Sequence, residues 1–285
     1  MMKINHVCII GGGQMGRQIG LCAAISGYRV TVYDSFPGVL DKVTAWEDEY
    51  LTGRIVKGRM TEEQVVATKM RFSVEQDMKK AVADADLIIE AIVEVYQAKK
   101  ELFQQLNEMI KPEAIVATNS SYMVSSMFAD CFTDPSRLCN CHFYNPALVM
   151  KFVEVVQGPH TSEKVAATVY EFCKSIGKKP ILMKKEIPGF AANRITGVVN
   201  QEARYLVQNG YLTPEEVDIA CEEGLGYPMG PFRLMDLTGI DLTYDMFKAM
   251  VENGQAKPDC YDLIENMVKE GKLGRKTGHG FYDYV

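Results

Sequence analysis

Gly11-Gly12-Gly13-Gln14-Met15-Gly16 fits the pattern G-x-G-x-x-G at Gly11, Gly13 and Gly16. In such a loop the first glycine permits a tight turn, the second lets the backbone approach a pyrophosphate, and the third lets helix pack on strand. The surroundings suit that reading. The apolar run His6–Ile10 precedes the loop, and an amphipathic helix is expected from Met15 to about Ser26. The next apolar run, Val30–Tyr33, ends in Asp34, a carboxylate placed to accept from the hydroxyls of an adenosine ribose. Its charge would repel a 2′-phosphate, and no arginine follows at 35 or 36, so NAD is expected rather than NADP.

Hydride transfer at a carbinol carbon needs a group that takes the hydroxyl proton, and near neutral pH histidine is the usual choice. The chain has four histidines. His6 opens the first apolar run and reads as structural, while His160 and His279 fall among Pro, Thr and Gly in loops. His142 stands at the end of the apolar run Arg137–Phe143, where open α/β sheets bind their ligands. Glu154 interrupts Phe152–Val156, and a carboxylate on a buried strand requires a partner. The segment between these runs contains Asn145-Pro146 and is too short for a crossover helix. The two are therefore expected to pair antiparallel as a hairpin at the sheet edge, with His142 and Glu154 facing each other. Glu154 would then fix the imidazole tautomer and favour its protonated form.

Alternating apolar runs and helical patterns predict the framework that holds these residues. The runs His6–Ile10, Val30–Tyr33, Leu87–Ala91, Ala114–Thr118, Arg137–Phe143 and Phe152–Val156 predict an α/β fold with a Rossmann-like, mainly parallel sheet. Beyond Pro188-Gly189 only helical stretches follow, including Ala191–Gln208, a capping box at Thr213-Pro-Glu-Glu216 and a helix near Phe232–Leu237. The expected division is residues 1–187 for cofactor binding and 188–285 for an all-helical substrate and dimerisation domain. At 285 residues and 47% hydrophobic the chain can fill two cores.

A net charge of −6 argues against nucleic acid as a partner. The chain shows no apolar run of membrane-spanning length, and no signal peptide is expected before the first strand. The eight cysteines include no Cys-x-x-Cys pair, and Cys139-Asn-Cys141-His142 reads as a strand face rather than a metal site. A protein of the reducing cytoplasm, without metal, is the expectation.

Taken in order, these segments and several more resemble the NAD-dependent 3-hydroxyacyl-CoA dehydrogenases, the short 3-hydroxybutyryl-CoA dehydrogenases in particular. After the glycine loop come Val82-Ala-Asp-Ala-Asp-Leu-Ile-Ile-Glu90, Thr118-Asn-Ser-Ser121, His142-Phe-Tyr-Asn-Pro146 and Met150-Lys-Phe-Val-Glu154. Then follow Pro188-Gly-Phe-Ala-Ala-Asn193-Arg, Gly226-Tyr-Pro-Met-Gly-Pro231 and Gly274-Arg-Lys-Thr-Gly-His-Gly-Phe-Tyr282. The resemblance implies reversible oxidation of a (3S)-3-hydroxyacyl-CoA, with His142 as general base, Glu154 as its partner, and Ser121 and Asn193 positioning the substrate. It extends the cofactor contacts beyond Gly11, Gly13, Gln14, Met15, Gly16 and Asp34 to Glu94, Lys99, Asn119, Ser121, Asn145 and Lys276. It also implies a homodimer, and acyl-CoA phosphates held by a basic helix, here Arg54 and Lys57 with Arg59 beside them. Two departures bear on acyl preference. Tyr122 stands where a small serine is usual, and Tyr144 replaces the second phenylalanine of His-Phe-Phe-Asn-Pro. Neither is expected to touch the acid–base pair. The rival readings are a dehydrogenase of the same superfamily acting on a non-CoA hydroxy acid, and a non-catalytic NAD-binding protein.

Overall fold

The computed structural model describes residues 2–252, 254 and 256–284. Contacts divide the chain into two compact units, one running to Phe190 and the other beginning at Ala191.

The first unit runs β1 (His6–Ile10), α1 (Gln14–Ile25), β2 (Arg29–Tyr33), α2 (Pro37–Val56), α3 (Glu62–Lys69), β3 (Phe72–Glu75), α4 (Met78–Val82) and β4 (Leu87–Glu90). It continues with α5 (Tyr96–Met109), β5 (Ile115–Thr118), β6 (Leu138–Phe143), β7 (Phe152–Val156), α6 (Glu163–Ser175) and β8 (Lys179–Met183). Among the described residues these strands form one sheet in the order β3-β2-β1-β4-β5-β6-β7-β8. Every residue of β1, β4, β5 and β6 is buried, as expected of strands covered on both faces. One face packs Val7, Ile9 and Ile19 with Val165, Val169 and Phe172, joining α1 and α6 in one layer. The other packs Cys8, Ile10 and Ile88 with Phe103, Leu106 and Phe128, from α5 and the short 3-10 turn Ser125–Cys131.

Strand order reverses beside β1, which has β2 on one side and β4 on the other, both parallel to it. Such a switch point leaves a crevice outside the carboxyl ends of the two strands. β5 and β6 continue the parallel arrangement. β7 alone runs against its neighbour β6, with His142 directly opposite Glu154 in the register.

Two strands lay outside the sequence reading. β3, Phe-Ser-Val-Glu, is short, half-exposed and weakly apolar. β8 contains Pro180, which argues against a strand except at a sheet edge, where no ladder donor is needed. β8 pairs parallel to β7, so the antiparallel pair stands one strand in from the edge rather than at it.

The second unit contains α7 (Ala192–Gln208), α8 (Pro214–Ile219), α9 (Pro231–Thr238), α10 (Ile240–Glu252) and α11 (Tyr261–Lys269). The capping box at α8 is formed: Thr213 Oγ1 accepts from Glu216 N at 3.2 Å, and the Glu216 carboxylate accepts from Thr213 N at 2.8 Å. Two buried carboxylates organise this unit. Asp218 accepts from Phe232 N, Arg233 N and the Tyr282 hydroxyl at 2.7–2.9 Å. Asp236 accepts from Phe281 N, Tyr282 N and the Tyr284 hydroxyl at 2.9–3.0 Å.

A Cβ placed on Gly16 would stand 1.8 Å from the Gly11 carbonyl oxygen, so α1 and the loop before it meet at backbone distance. Gly16→Ala should therefore destabilise the protein by roughly 1–3 kcal/mol, the usual cost of overpacking. Urea unfolding of the variant measures this, and a midpoint equal to the parent's would show that loop and helix separate freely.

Candidate active site

The glycine loop assigns its three positions to three physical tasks. Gly11 has φ +107°, and its N–H donates to Tyr33 O at 2.8 Å; a Cβ there would lie 2.6 Å from Ala91 O. Gly16 gives the close packing described above. Around Gly13 nothing lies within 4 Å of an added Cβ, so the loop there is open to a ligand. Gly13 is also the N-cap of α1, which has no side-chain cap, leaving first-turn amides for an anion. Asp34 Oδ2 accepts from Gly12 N at 2.8 Å and Oδ1 from Phe36 N at 2.9 Å.

Gly11, Gly13, Gln14, Met15 and Asp34 line one cavity of ≈ 710 Å³, walled by the apolar side chains of Phe36, Met78 and Leu102. No Lys or Arg among the described residues lines it, so a 2′-phosphate would meet Asp34 without a counter-charge. The residues present fit NAD.

At the β6–β7 pair, His142 Nδ1 and Glu154 Oε2 are 2.9 Å apart. Glu154 is fully buried and His142 is 5% exposed. On the other side of the ring, His142 Nε2 lies 2.9 Å from Ser121 Oγ. With Nδ1–H donated to Glu154, Nε2 is the nitrogen left to accept a proton, and the Ser121 hydroxyl can donate to it. Phe190, fully buried with φ +47°, packs on the imidazole with ring centroids 5.6 Å apart. Next to it, Gly189 N donates to Ser121 O at 3.1 Å.

One expectation fails here. Tyr144 does touch the acid–base pair: its hydroxyl donates to Glu154 Oε2 at 3.0 Å, and its ring packs against His142. Residues two apart on an extended chain point the same way, so a side chain at 144 faces the same space as that of His142. That spacing was the available signal.

The loop bearing Ser121 is braced by buried charge. Lys99, expected among the cofactor contacts, is 1% exposed, which leaves almost none of its surface for a ligand. Its ammonium bonds Glu90 at 2.5 Å and Glu94 at 3.2 Å. Glu90 also accepts from the Thr118 hydroxyl at 2.6 Å. Glu94 accepts from the Ser120 hydroxyl, whose oxygen in turn accepts from Met123 N at 3.0 Å. Burial tends to raise the pKa of Glu94, but Ser120 and Lys99 outweigh it and hold the carboxyl below the ordinary glutamate value. Asn119 Oδ1 accepts from Phe143 N at 2.8 Å, tying this loop to the end of β6. Asn145 Oδ1 accepts from Gln14 Nε2 at 3.1 Å, joining the catalytic end of the sheet to the glycine loop.

Arg54, Lys57 and Arg59 come together around a second cavity of ≈ 610 Å³ at the end of α2. Trp46 and Tyr50, which the sequence reading did not single out, line it too. They stand four apart on the helix and stack with centroids 5.6 Å apart, and the Arg17 guanidinium lies 4.8 Å from the Trp46 ring centre. In the second unit, Asn193 occupies the first turn of α7, and Lys276 pairs with Asp241 at 2.5 Å. Among the described residues no group of His, Cys, Asp or Glu could hold a metal ion.

A pyrophosphate-binding crevice and a buried His–Glu pair on the same sheet define an NAD-dependent dehydrogenase. Residues 6–187 match the family 3-hydroxyacyl-CoA dehydrogenase, NAD binding domain, and residues 189–284 match 3-hydroxyacyl-CoA dehydrogenase, C-terminal domain. The chain is 37% identical to the mitochondrial hydroxyacyl-coenzyme A dehydrogenase of Rattus norvegicus, covering 99% of this chain and 91% of that one. The structure of a 3-hydroxybutyryl-CoA dehydrogenase from Escherichia coli superposes with a TM-score of 0.91 at 34% identity, covering 99% of this chain and 60% of that one. An (S)-3-hydroxybutyryl-CoA dehydrogenase from Ralstonia eutropha gives 0.89 at 31%, covering 99% and 100%. The chain belongs to the 3-hydroxyacyl-CoA dehydrogenase family.

Removing Lys99 would leave Glu90 charged and buried. Lys99→Ala should cost roughly 3–5 kcal/mol, the usual penalty for breaking a buried pair from one side. Chemical denaturation checks this, and a loss under about 1 kcal/mol would show that water or another group takes over the ammonium's place.

Proposed function

We propose that this protein catalyses the reversible oxidation of a short-chain (3S)-3-hydroxyacyl-CoA, 3-hydroxybutyryl-CoA foremost, to the 3-ketoacyl-CoA. The observation that carries the reading is the Glu154–His142–Ser121 chain of bonds, 2.9 Å at each link, at the end of a sheet whose next crevice fits NAD.

NAD, when bound, supplies the two-electron acceptor for the substrate's C3 hydrogen. In the oxidising direction His142 Nε2 takes the proton of the C3 hydroxyl, and in the reducing direction the imidazolium returns it. Glu154 stabilises that cation from Nδ1 and keeps Nε2 aimed at the substrate. Ser121 donates to the substrate oxygen from the loop that Lys99, Glu94 and Asn119 hold in place. Asn193 joins Ser121 in orienting the substrate oxygens, and Lys276 adds to the cofactor contacts. Arg54 and Lys57 meet the CoA phosphates at the α2 cavity. The non-CoA and non-catalytic alternatives receive less support, because neither needs an arginine- and lysine-lined cavity together with an intact acid–base chain.

His142→Gln should lower kcat by about 10²–10⁴-fold, the usual worth of a general acid–base group. The dissociation constant for NADH should stay within about twofold of the parent's. Retained turnover would remove His142 from the role. A comparison of acetoacetyl-CoA with free acetoacetate tests the thioester requirement, and equal kcat/KM for the two would favour a non-CoA substrate.

Tyr122 follows Ser121 directly and is 55% exposed, so it stands where it could limit the acyl chain. In a chain-length series of 3-ketoacyl-CoAs, Tyr122→Ser should shift the optimum to longer chains. An unchanged profile would clear Tyr122 of that part.

We further place the protein in the cytoplasm as a homodimer. Eight free, buried cysteines suit a reducing compartment, and no helix among the described residues is long and apolar enough to cross a membrane. Ile195, Val198 and Leu242 of the helical unit are each at least 60% exposed, apolar side chains of the kind that a second copy would cover. Light scattering should give twice the chain mass, and the mass of one chain would dismiss the dimer.

A further inference from the structure

Tyr144 follows His142 by two residues, and Glu154 follows Phe152 by two on the facing strand. The period of an extended chain thus turns all four side chains towards one another. The Tyr144 ring packs on His142 with centroids 4.6 Å apart and 58° between planes, and on Phe152 at 5.3 Å. Its hydroxyl reaches Glu154 Oε2 at 3.0 Å. That oxygen already accepts from His142 Nδ1 at 2.9 Å, so one oxygen of a fully buried carboxylate serves two donors. A phenylalanine, the usual residue of the resembling family here, would supply the ring contact and no donor.

We infer that Tyr144 is a positioning residue for the reaction: its hydroxyl fixes the Glu154 carboxylate and shares the oxygen that holds the His142 imidazole. The inference rests on the acid–base role given above to His142. Two donors pin a carboxylate's rotation more closely than one, and a bond from a hydroxyl to a charged acceptor is among the stronger neutral-donor bonds. The donors also compete for the same electron density, so the Nδ1–H bond is weaker with Tyr144 than it would be without it. The sharing passes entirely through Glu154, which distinguishes it from packing of the ring.

Tyr144→Phe keeps the ring and removes the hydroxyl. In full-length protein labelled with ¹⁵N-histidine there are four histidines to resolve, and the His142 signals are identified by their loss in His142→Gln. The Nδ1–H proton resonance of His142 should move downfield in Tyr144→Phe. In NADH oxidation with acetoacetyl-CoA, kcat should fall about three- to tenfold, the worth of roughly one hydrogen bond, while both KM values stay within about twofold. In a Glu154→Ala background the same change should alter kcat by less than about twofold, because the oxygen that both donors share is gone. An unmoved resonance overturns the inference whether or not the protein turns over acetoacetyl-CoA. A moved resonance in a protein without turnover supports the inference about the bond and sinks the acyl-CoA reading instead. An equal fall in kcat in both backgrounds would assign the effect to the ring and overturn the inference.

Discussion

The carboxylate of Glu154 is the constraint around which the catalytic end of the sheet is built. A charge with no exposed surface on a core strand is tolerated only if donors surround it. Its donors include His142 from the neighbouring strand and Tyr144 from the turn beyond it. Meeting that demand fixes the β6–β7 register, because a slip of one residue would turn Glu154 to the opposite face and leave it buried without them. The same pairing selects the imidazole tautomer. Electrostatic satisfaction, strand register and chemical readiness are one requirement at this point of the fold.

The antiparallel turn matters for position as much as for pairing. β1, β4, β5 and β6 are parallel, so their carboxyl ends share one rim of the sheet. A parallel β7 would have had to begin at the opposite rim, after a crossover that the short segment after β6 cannot make. By reversing, β7 begins at the functional rim, and Glu154, its third residue, is delivered beside His142. From β1 to β6 is three strand spacings, roughly 14 Å, which is bridged above the sheet by the Gln14–Asn145 bond.

What could be read beforehand follows from range. The glycine loop and its carboxylate are local: a strand, a turn, a helix and the next strand, each with its own residue signals, and Gly11, Gly13, Gly16 and Asp34 take the places those signals imply. The His142–Glu154 pairing was accessible because only a short turn separates the strands and because a lone carboxylate in an apolar run demands an explanation. β8 was not accessible, since Pro180 removes a ladder donor and only the finished sheet reveals that the strand lies at an edge. The burial of Lys99, expected among the cofactor contacts, was not legible for a related reason. A lysine on a surface helix normally faces water, and only the approach of Glu90 and Glu94 makes its burial affordable.

Two buried carboxylates thus stand side by side in function, Glu90 at the end of β4 and Glu154 near the start of β7, and they are satisfied differently. Glu90 accepts from the Lys99 ammonium, the Thr118 hydroxyl and the Ile92 N–H. It therefore acts as a fixed brace, stiffening the loop that carries Asn119, Ser120 and Ser121. Glu154 accepts from the His142 imidazole and the Tyr144 phenol. The contrast fits the acid–base role proposed for the second site and a purely structural role for the first. A buried carboxylate paired with an ammonium builds structure, whereas one paired with an imidazole orients the ring and leaves Nε2 facing Ser121. The Lys99–Glu90 pair braces the serine loop, and the proton transfer proposed above belongs to the His142–Glu154 pair.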